Sequence, residues 1–446
     1  VAALEEAGAG EDELAAAGQS MVDAYSAAGE GQPDSRGRDG RAVTLGGLRA
    51  ALTTQLGSLP RTDALLAMLM KIEKGAEVDR GEFRRQVEAD MTEVIARQAE
   101  AGIDIVGDGE LPRIGFSYYV KDRMSGFGGT AKRGTVSDFA KFPGYAALKM
   151  AAVKASAGEE ADLEESASVY EMPEAQGEVV YDSDLAAAKE EMEIFDTALD
   201  ASGERGKFSG TFVSAAGPGI ISTTLLRSEE HPAYKDDSEY VMALARELKK
   251  EYDYIVSRGH LLQIDAPDLA MERQIMFFNR PLKEFLARVE LHIEALNIAL
   301  ADIPPEKVRL HVCYGNYDGP HIDDVELQEV LPLLYDANVG TLSLACANPR
   351  HQHDWKQFKT YPLPDHMSLM PGVIDVTTNT LEHPEVVADR ICQFVEVIGD
   401  KERVIAGCDC GFSTFAGYVM VPSDVAWKKL EMLSTGARLA SERLWG

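Results

Sequence analysis

Val308-Arg309-Leu310-His311-Val312-Cys313-Tyr314-Gly315-Asn316 decides how this chain is read. Val308 to Val312 is a short β-like run, and turn-prone Gly315-Asn316 lies close behind it. Alternate side chains of a strand share a face, so His311 and Cys313 point to one side and can address one ion. A second run, Val404-Ile405-Ala406, leads into Cys408-Asp409-Cys410-Gly411. One imidazole and two thiols are what Zn²⁺, an ion of borderline softness, selects. Three protein ligands leave one position open, the pattern of a catalytic site. Zn²⁺ is therefore the expected cofactor, with His311, Cys313 and Cys410 as its ligands and as the catalytic core.

Working outward, similar runs recur at Leu52–Leu56, Ile103–Val106, Gly210–Ser214, Leu261–Ile264, Thr341–Leu344 and Val373–Val376. Gly, Pro, Asp or Asn follows each, and most then give way to a helical pattern such as Asp237–Arg258 or Pro281–Asp302. In the latter, Leu282, Phe285, Leu286, Val289, Ile293, Leu296 and Leu300 recur at spacings of three and four, an amphipathic stripe. Eight strands alternating with helices predict an α/β fold of the (β/α)₈ TIM-barrel type, which spans about 250 to over 400 residues with insertions. A doubly wound open sheet is the rival topology. Residues 1–45, rich in Ala, Gly, Glu and Asp, read as an acidic extension. Residues 46–446 read as the catalytic barrel, with an insertion at about 127–205 whose part from Lys154 to Asp184 reads as solvated polar chain.

In a barrel the active site lies at the C-terminal ends of the strands, where the informative polar residues of this chain fall. They are Gly57-Ser58-Leu59-Pro60-Arg61, then Gly107-Asp108-Gly109-Glu110 with Arg113, then Gln263-Ile264-Asp265. Beyond the ligand runs come Cys346-Ala347-Asn348-Pro349-Arg350-His351-Gln352-His353 and Asp375-Val376-Thr377. Glu110 and Asp265 also suit helix N-termini, where acids are favourable. His351 and His353 have the spacing of a second metal pair but sit in a polar loop, and read as loop packing or substrate contact. Cys346 and Cys408 read as core thiols.

Gly57-Ser58-Leu59-Pro60, the Gln263-Ile264-Asp265 segment, His311-x-Cys313 and Asp409-Cys410-Gly411, in this order, resemble the catalytic barrel of cobalamin-independent methionine synthase. The resemblance covers roughly residues 50–440, within a wider class of zinc-dependent thiol alkyltransferases that includes epoxyalkane:coenzyme M transferase. It implies that His311, Cys313 and Cys410 match the family's zinc ligands, and that Ser58, Glu110 and Asp265 match positions holding the homocysteine amino acid. The expected partners are a small-molecule thiol and an alkyl donor. The chain departs from the pattern at Ala345, where a Glu ligand is expected, and at Thr377, where a catalytic His is expected. Phe412-Ser413-Thr414-Phe415 replaces a basic segment. A sulfonate-bearing thiol would need cations, for which Arg61, Arg113, Lys121, Arg123 and Arg350 are candidates. Asp375 is a further candidate substrate contact. A barrel that keeps zinc structurally and has lost catalysis is the alternative from another class.

Composition bounds the rest. The chain has 446 residues, 45% hydrophobic and 26% charged, as expected of a globular protein. A net charge of −30 argues against nucleic acid or an anionic membrane as partner. No run of 18 apolar residues occurs, and no basic stretch followed by an apolar one opens the chain, so neither a membrane span nor a signal peptide is expected. The sequence starts at Val1 rather than Met, so the natural terminus is expected to lie outside it. Five cysteines in so long a chain do not make a disulfide framework, which points to the cytoplasm. No G-x-G-x-x-G or P-loop pattern occurs, so nucleotide binding has no support. A homo-oligomer is left open.

Overall fold

The computed structural model describes residues 50–157 and 171–446. The extension read at 1–45 lies outside the described residues. The frame is a seven-stranded, all-parallel sheet whose strands neighbour one another in chain order. Its strands are β1 (Ile105–Gly107), β4 (Gly210–Ala216), β5 (Leu261–Asp265), β6 (Val308–Val312), β7 (Thr341–Leu344), β8 (Ser368–Ile374) and β9 (Gly407–Cys408). Every ladder is parallel, which requires a crossover between neighbours.

The run at Leu52–Leu56 is not a full strand. It makes single parallel bridges, Thr53 to Ala406 and Thr54 to Ile105. Thr54 N donates to Ala406 O at 3.0 Å and Ile105 N to Thr53 O at 3.0 Å, so this stretch is bonded to both edges of the sheet. The later strands also start and stop differently from the apolar runs. β8 begins at Ser368, ahead of the expected Val373, because Leu369 to Pro371 pair with β7. The run at Val404–Ala406 bonds outward, to Leu369 and Leu52, rather than forming an extended ladder.

Helices cover the sheet by the predicted stripes. In Leu282–Ala299 the residues Phe285, Val289, Ile293 and Leu296 are buried, while Leu282 and Leu286 are only partly so. In Asp237–Ser257, Tyr240, Val241, Leu244, Leu248, Tyr252 and Ile255 form the inner face, and Asp236 caps the first turn by accepting from Glu239 N at 3.0 Å. Each such buried side chain contributes about 1.5–3 kcal/mol.

Between β1 and β4 the chain leaves the sheet. β2 (Met124–Lys132) and β3 (Glu171–Tyr181) pair antiparallel with irregular register, and the helices Ser137–Lys141 and Pro143–Ala157 follow β2. The stretch from Lys154 to Asp184 is thus not all solvated chain. Its last third is an eleven-residue strand in which Ala175, Val179 and Tyr181 are buried.

Beneath the strand ends lies a polar plug. Arg309, buried on β6, donates to Gln263 Oε1 at 2.8 Å, Thr54 Oγ1 at 3.0 Å and Gln55 O at 3.1 Å. Its guanidinium lies 3.5 Å from the Phe212 ring centroid. Burial lowers its pKa to about 9, against the charge of Asp265. Arg309 shares a face of β6 with His311, so the plug fixes which side of the strand the site occupies.

Candidate metal and thiol site

His311 and Cys313 project from the end of β6, and Cys410 lies just beyond β9. Their donor atoms fall within 4.8 Å of one another, and this is the single such His/Cys/carboxylate group of three or more among the described residues. His311 Nε2 is buried and has no hydrogen-bond partner, while its Nδ1 lies 3.5 Å from Ser343 Oγ. Burial and the neighbouring thiol shape both ends of the cluster. Burial pulls the His311 pKa down, but the neighbouring Cys410 thiol outweighs it and the net shift is upward. The Cys410 thiol is pushed well above its ordinary value by its hydrogen bond with Cys313 and by burial. An orphaned imidazole nitrogen and two adjacent thiols form a soft donor set that a cation would satisfy, and zinc fits it. Cys346 and Cys408 are buried and stand outside the group.

Asp265 neighbours His311 in register across β5 and β6. It accepts from Gln263 Nε2 at 2.8 Å, and burial raises its pKa. Glu110 lies opposite, reached through an unusual backbone. Gly109 and Glu110 have φ of +67° and +54°, and a non-glycine residue enters that region at a cost of about 1–2 kcal/mol. Its Oε1 accepts from Ser214 Oγ at 2.7 Å, and its buried Oε2 has no partner. Burial and the charge of Asp265 push Glu110 up to about 7, against the opposing pull of Arg113. Gly57, at φ +107°, faces this carboxylate: a Cβ there would collide with Glu110 Oε1, so the glycine makes room for the acid.

Ser58 is buried, and its Oγ accepts from Ser413 N at 3.3 Å, tying it to the segment after Cys410. Arg61 directs its donors inward to protein atoms: Nε to Leu111 O, one terminal nitrogen to Ser413 O and Oγ, the other to Glu110 O and Arg113 O, at 2.7 to 3.1 Å. Arg113 pairs with Glu191 at 2.9 Å, donates to Ser214 O at 2.8 Å and stacks on Tyr119. Burial pushes Glu191 up, but Arg113 and Arg123 outweigh it and hold it at about 2. Arg61 and Arg113 thus sit beside Glu110 with guanidiniums committed to the protein. Asp375 is buried and accepts from Thr377 N and Oγ1, each at 2.8 Å. His351 stacks on Tyr314 with centroids 3.7 Å apart, and His321 Nδ1 lies 3.0 Å from Asp324 Oδ2.

Two further side chains tie the backbone around this cluster together. Asp409 Oδ1 accepts from Cys346 N at 2.8 Å and Ala347 N at 2.7 Å, and its Oδ2 from Asn348 N and Nδ2 at 2.9 and 3.0 Å. Burial still raises it to about 6. Asn316 donates to Gly411 O at 2.8 Å and Thr414 Oγ1 at 2.6 Å, joining the β6 end to the Cys410 segment. Both residues lie inside the quoted motifs, but only the folded chain shows which backbone they hold.

A family model described as "Cobalamin-independent synthase, Catalytic domain" matches residues 51–174 and 215–423. Methionine synthase of Sulfolobus acidocaldarius is 22% identical over 395 residues, covering 88% of this chain and 93% of that protein. Methionine synthase of Thermococcus kodakarensis is 25% identical, covering 88% and 94%. A 2-hydroxypropyl-CoM lyase of Xanthobacter autotrophicus is 25% identical over 252 residues, 51% of this chain and 61% of that protein. Among solved structures, the B12-independent methionine synthase of Shewanella sp. W3-18-1, in complex with selenomethionine, superposes with TM-score 0.62 at 20% identity, covering 89% of this chain and 99% of that one. That likeness establishes the fold.

Proposed function

Because the chain belongs to the family of the cobalamin-independent synthase catalytic domain, we propose that it transfers an alkyl group, in the simplest case methyl, to the sulfur of a small aminothiol such as homocysteine. The reading includes closure of the sheet into a (β/α)₈ barrel, with Leu52–Leu56 as its first strand. His311, Cys313 and Cys410 are the residues that hold zinc. When bound there, zinc supplies Lewis acidity that lowers the pKa of a coordinated thiol.

The protein's own groups do the rest. Glu110 and Asp265 receive the ammonium of the acceptor, Ser58 borders its far end, and Asp375 lies on the donor side. Arg61 and Arg113 hold the Glu110 turn in place. The observation that carries this reading is the buried, partnerless Oε2 of Glu110, on a carboxyl pushed up to about 7 beside Asp265. Two close buried acids are costly unless a cation joins them, and an ammonium supplies both the charge and the missing donors. The five free thiols suit a reducing compartment, so cytoplasmic placement is part of the proposal.

A second reading, epoxide opening by coenzyme M, has in its favour the likeness to 2-hydroxypropyl-CoM lyase. A sulfonate would need a guanidinium, and those of Arg61 and Arg113 are engaged. Zinc-edge X-ray absorption of the zinc-loaded protein with homocysteine, coenzyme M or glutathione separates the possibilities. An added sulfur at roughly 2.3 Å with homocysteine supports the proposal. Coenzyme M alone producing it transfers support to epoxide opening. An unchanged spectrum with every thiol leaves a structural zinc barrel.

A further inference from the structure

The segment after Cys410 runs across several strand ends and carries the aromatic residues of this face. Phe412 N donates to Ser58 O at 2.8 Å, and Ala416 N donates to Ile114 O at 2.8 Å. Phe415 bridges Gly115 in antiparallel fashion, with its ring pressed where a Cβ of that glycine would stand. Arg61 then fastens Ser413 to the backbone of Glu110 and Arg113. The strap is thereby fixed a few residues from both the metal-binding donors and the acceptor acid. Along it, Phe415 packs edge-on to Phe116 with centroids 5.8 Å apart, and against Tyr118 at 5.1 Å. Phe116 and Phe415 are half-buried, so each keeps some ring surface for a ligand.

Two buried carboxylate oxygens at the strand ends, Asp108 Oδ2 and Glu110 Oε2, have no hydrogen-bond partner. Asp108, Glu110, Asp265, Asp375 and Asp409 are buried at the strand ends. The neighbouring guanidiniums of Arg61 and Arg113 point to carbonyls, Ser413, Ser214 and Glu191. An anionic donor would find neither Arg61 nor Arg113 disengaged, whereas a cationic one meets unpartnered carboxylate oxygen and ring faces.

Proton donors are also committed. Thr377 Oγ1 already donates to Asp375. His321 and His351 are turned to Asp324, each with a ring nitrogen 3.0 or 2.9 Å from its Oδ2. A leaving alkoxide or amide anion would need a proton that these groups are not placed to give.

Resting on the thiol-alkylation reading above, we propose that the alkyl donor is an onium compound, a methylsulfonium or quaternary methylammonium, held by Phe116, Tyr118 and Phe415. The acceptor thiolate sulfur attacks the methyl carbon and a new C–S bond forms. The bond from that carbon to the onium centre breaks, and its electron pair stays with the departing heteroatom. The donor leaves as a neutral thioether or amine. Positive charge is lost at the donor and negative charge at the thiolate, so charge balances and no proton moves. An aromatic surface is suited to such a donor because ring faces attract the cation and hold its neutral product less well.

Calorimetric titration of the full chain with trimethylsulfonium or tetramethylammonium, without any thiol, tests binding apart from turnover. Saturable binding is expected, weakened about tenfold in Phe415→Leu and in Phe116→Leu, which keep apolar volume but remove a ring. Transfer to the acceptor thiol is expected from a methylsulfonium and not from an N-methyl tertiary amine. Absence of saturable onium binding, equal affinity in the leucine variants, or transfer from the neutral donor alone would each overturn the inference. Because the titration uses no thiol, its failure is distinct from a zinc spectrum that ignores every thiol, which would sink the acceptor reading instead.

Discussion

His311 and Cys410 reach the same point by different routes. His311 sits in the β5-β6-β7 ladder, with Asp265 on one side and Ser343 on the other, each in register. Its place follows from strand pairing and the two-residue period. Cys410 lies past the two-residue β9, where the ladder has ended. It is held by side chains that reach backbone: Asp409 to residues 346–348, Asn316 to Gly411, and Ser58 to Ser413. One half of the site is set by sheet register, and the other by a few polar ties that single substitutions can cut.

Cutting the loop half should matter most. Cys410→Ala should abolish stoichiometric zinc in the purified protein, read by metal analysis, because two remaining donors do not make a tight site. Asp409→Asn leaves every ligand in place but replaces a four-bond acceptor with an amide. Zinc affinity, measured by chelator competition, should fall roughly 10- to 100-fold, the usual cost of losing an outer partner of a metal ligand. An unchanged affinity would show that the ties around Cys410 are dispensable.

Glu110→Gln should raise the acceptor thiol KM about tenfold or more and leave zinc content alone. The same variant has a stability signature. Glu110 titrates near 7 in the fold against 4.5 as an ordinary carboxyl, so the folded state holds its proton more tightly. Its contribution is fully present below pH 4.5 and is lost as pH rises through 7. Glu110→Gln should therefore match the parent at low pH and exceed it at about pH 8 by on the order of 1–3 kcal/mol in denaturant unfolding. A variant less stable at that pH would contradict this account of the carboxyl.

Ser343→Ala probes the ladder half. The 3.5 Å contact to His311 Nδ1 is long, and the strand already fixes the ring, so zinc affinity should change by less than about threefold. An effect as large as that of Asp409→Asn would erase the contrast between the two halves.

What the sequence discloses follows the same division. His311-x-Cys313 and the strands around it are legible because periodicity and turn residues are local signals. The stretch Leu52–Leu56 reads as a short β-like run, but its bonds to both sheet edges depend on residues more than 50 and 350 positions away. β3 is hidden because its acids, Glu171, Glu174 and Glu178, mask an alternation that buries Ala175, Val179 and Tyr181. Arg61 and Arg113 are nominated by charge and position, whereas the direction of a guanidinium is a tertiary fact. The roles of Asp409 and Asn316 likewise depend on which backbone amides and carbonyls approach them.

The central claim is that His311, Cys313 and Cys410 hold one catalytic zinc. Zinc-edge X-ray absorption of the resting protein tests it most directly. The account predicts one metal per chain with two sulfurs at roughly 2.3 Å, one imidazole nitrogen at roughly 2.0–2.1 Å, and a fourth light atom in the open position. A shell of oxygens alone, or protein purified without stoichiometric zinc, would contradict it.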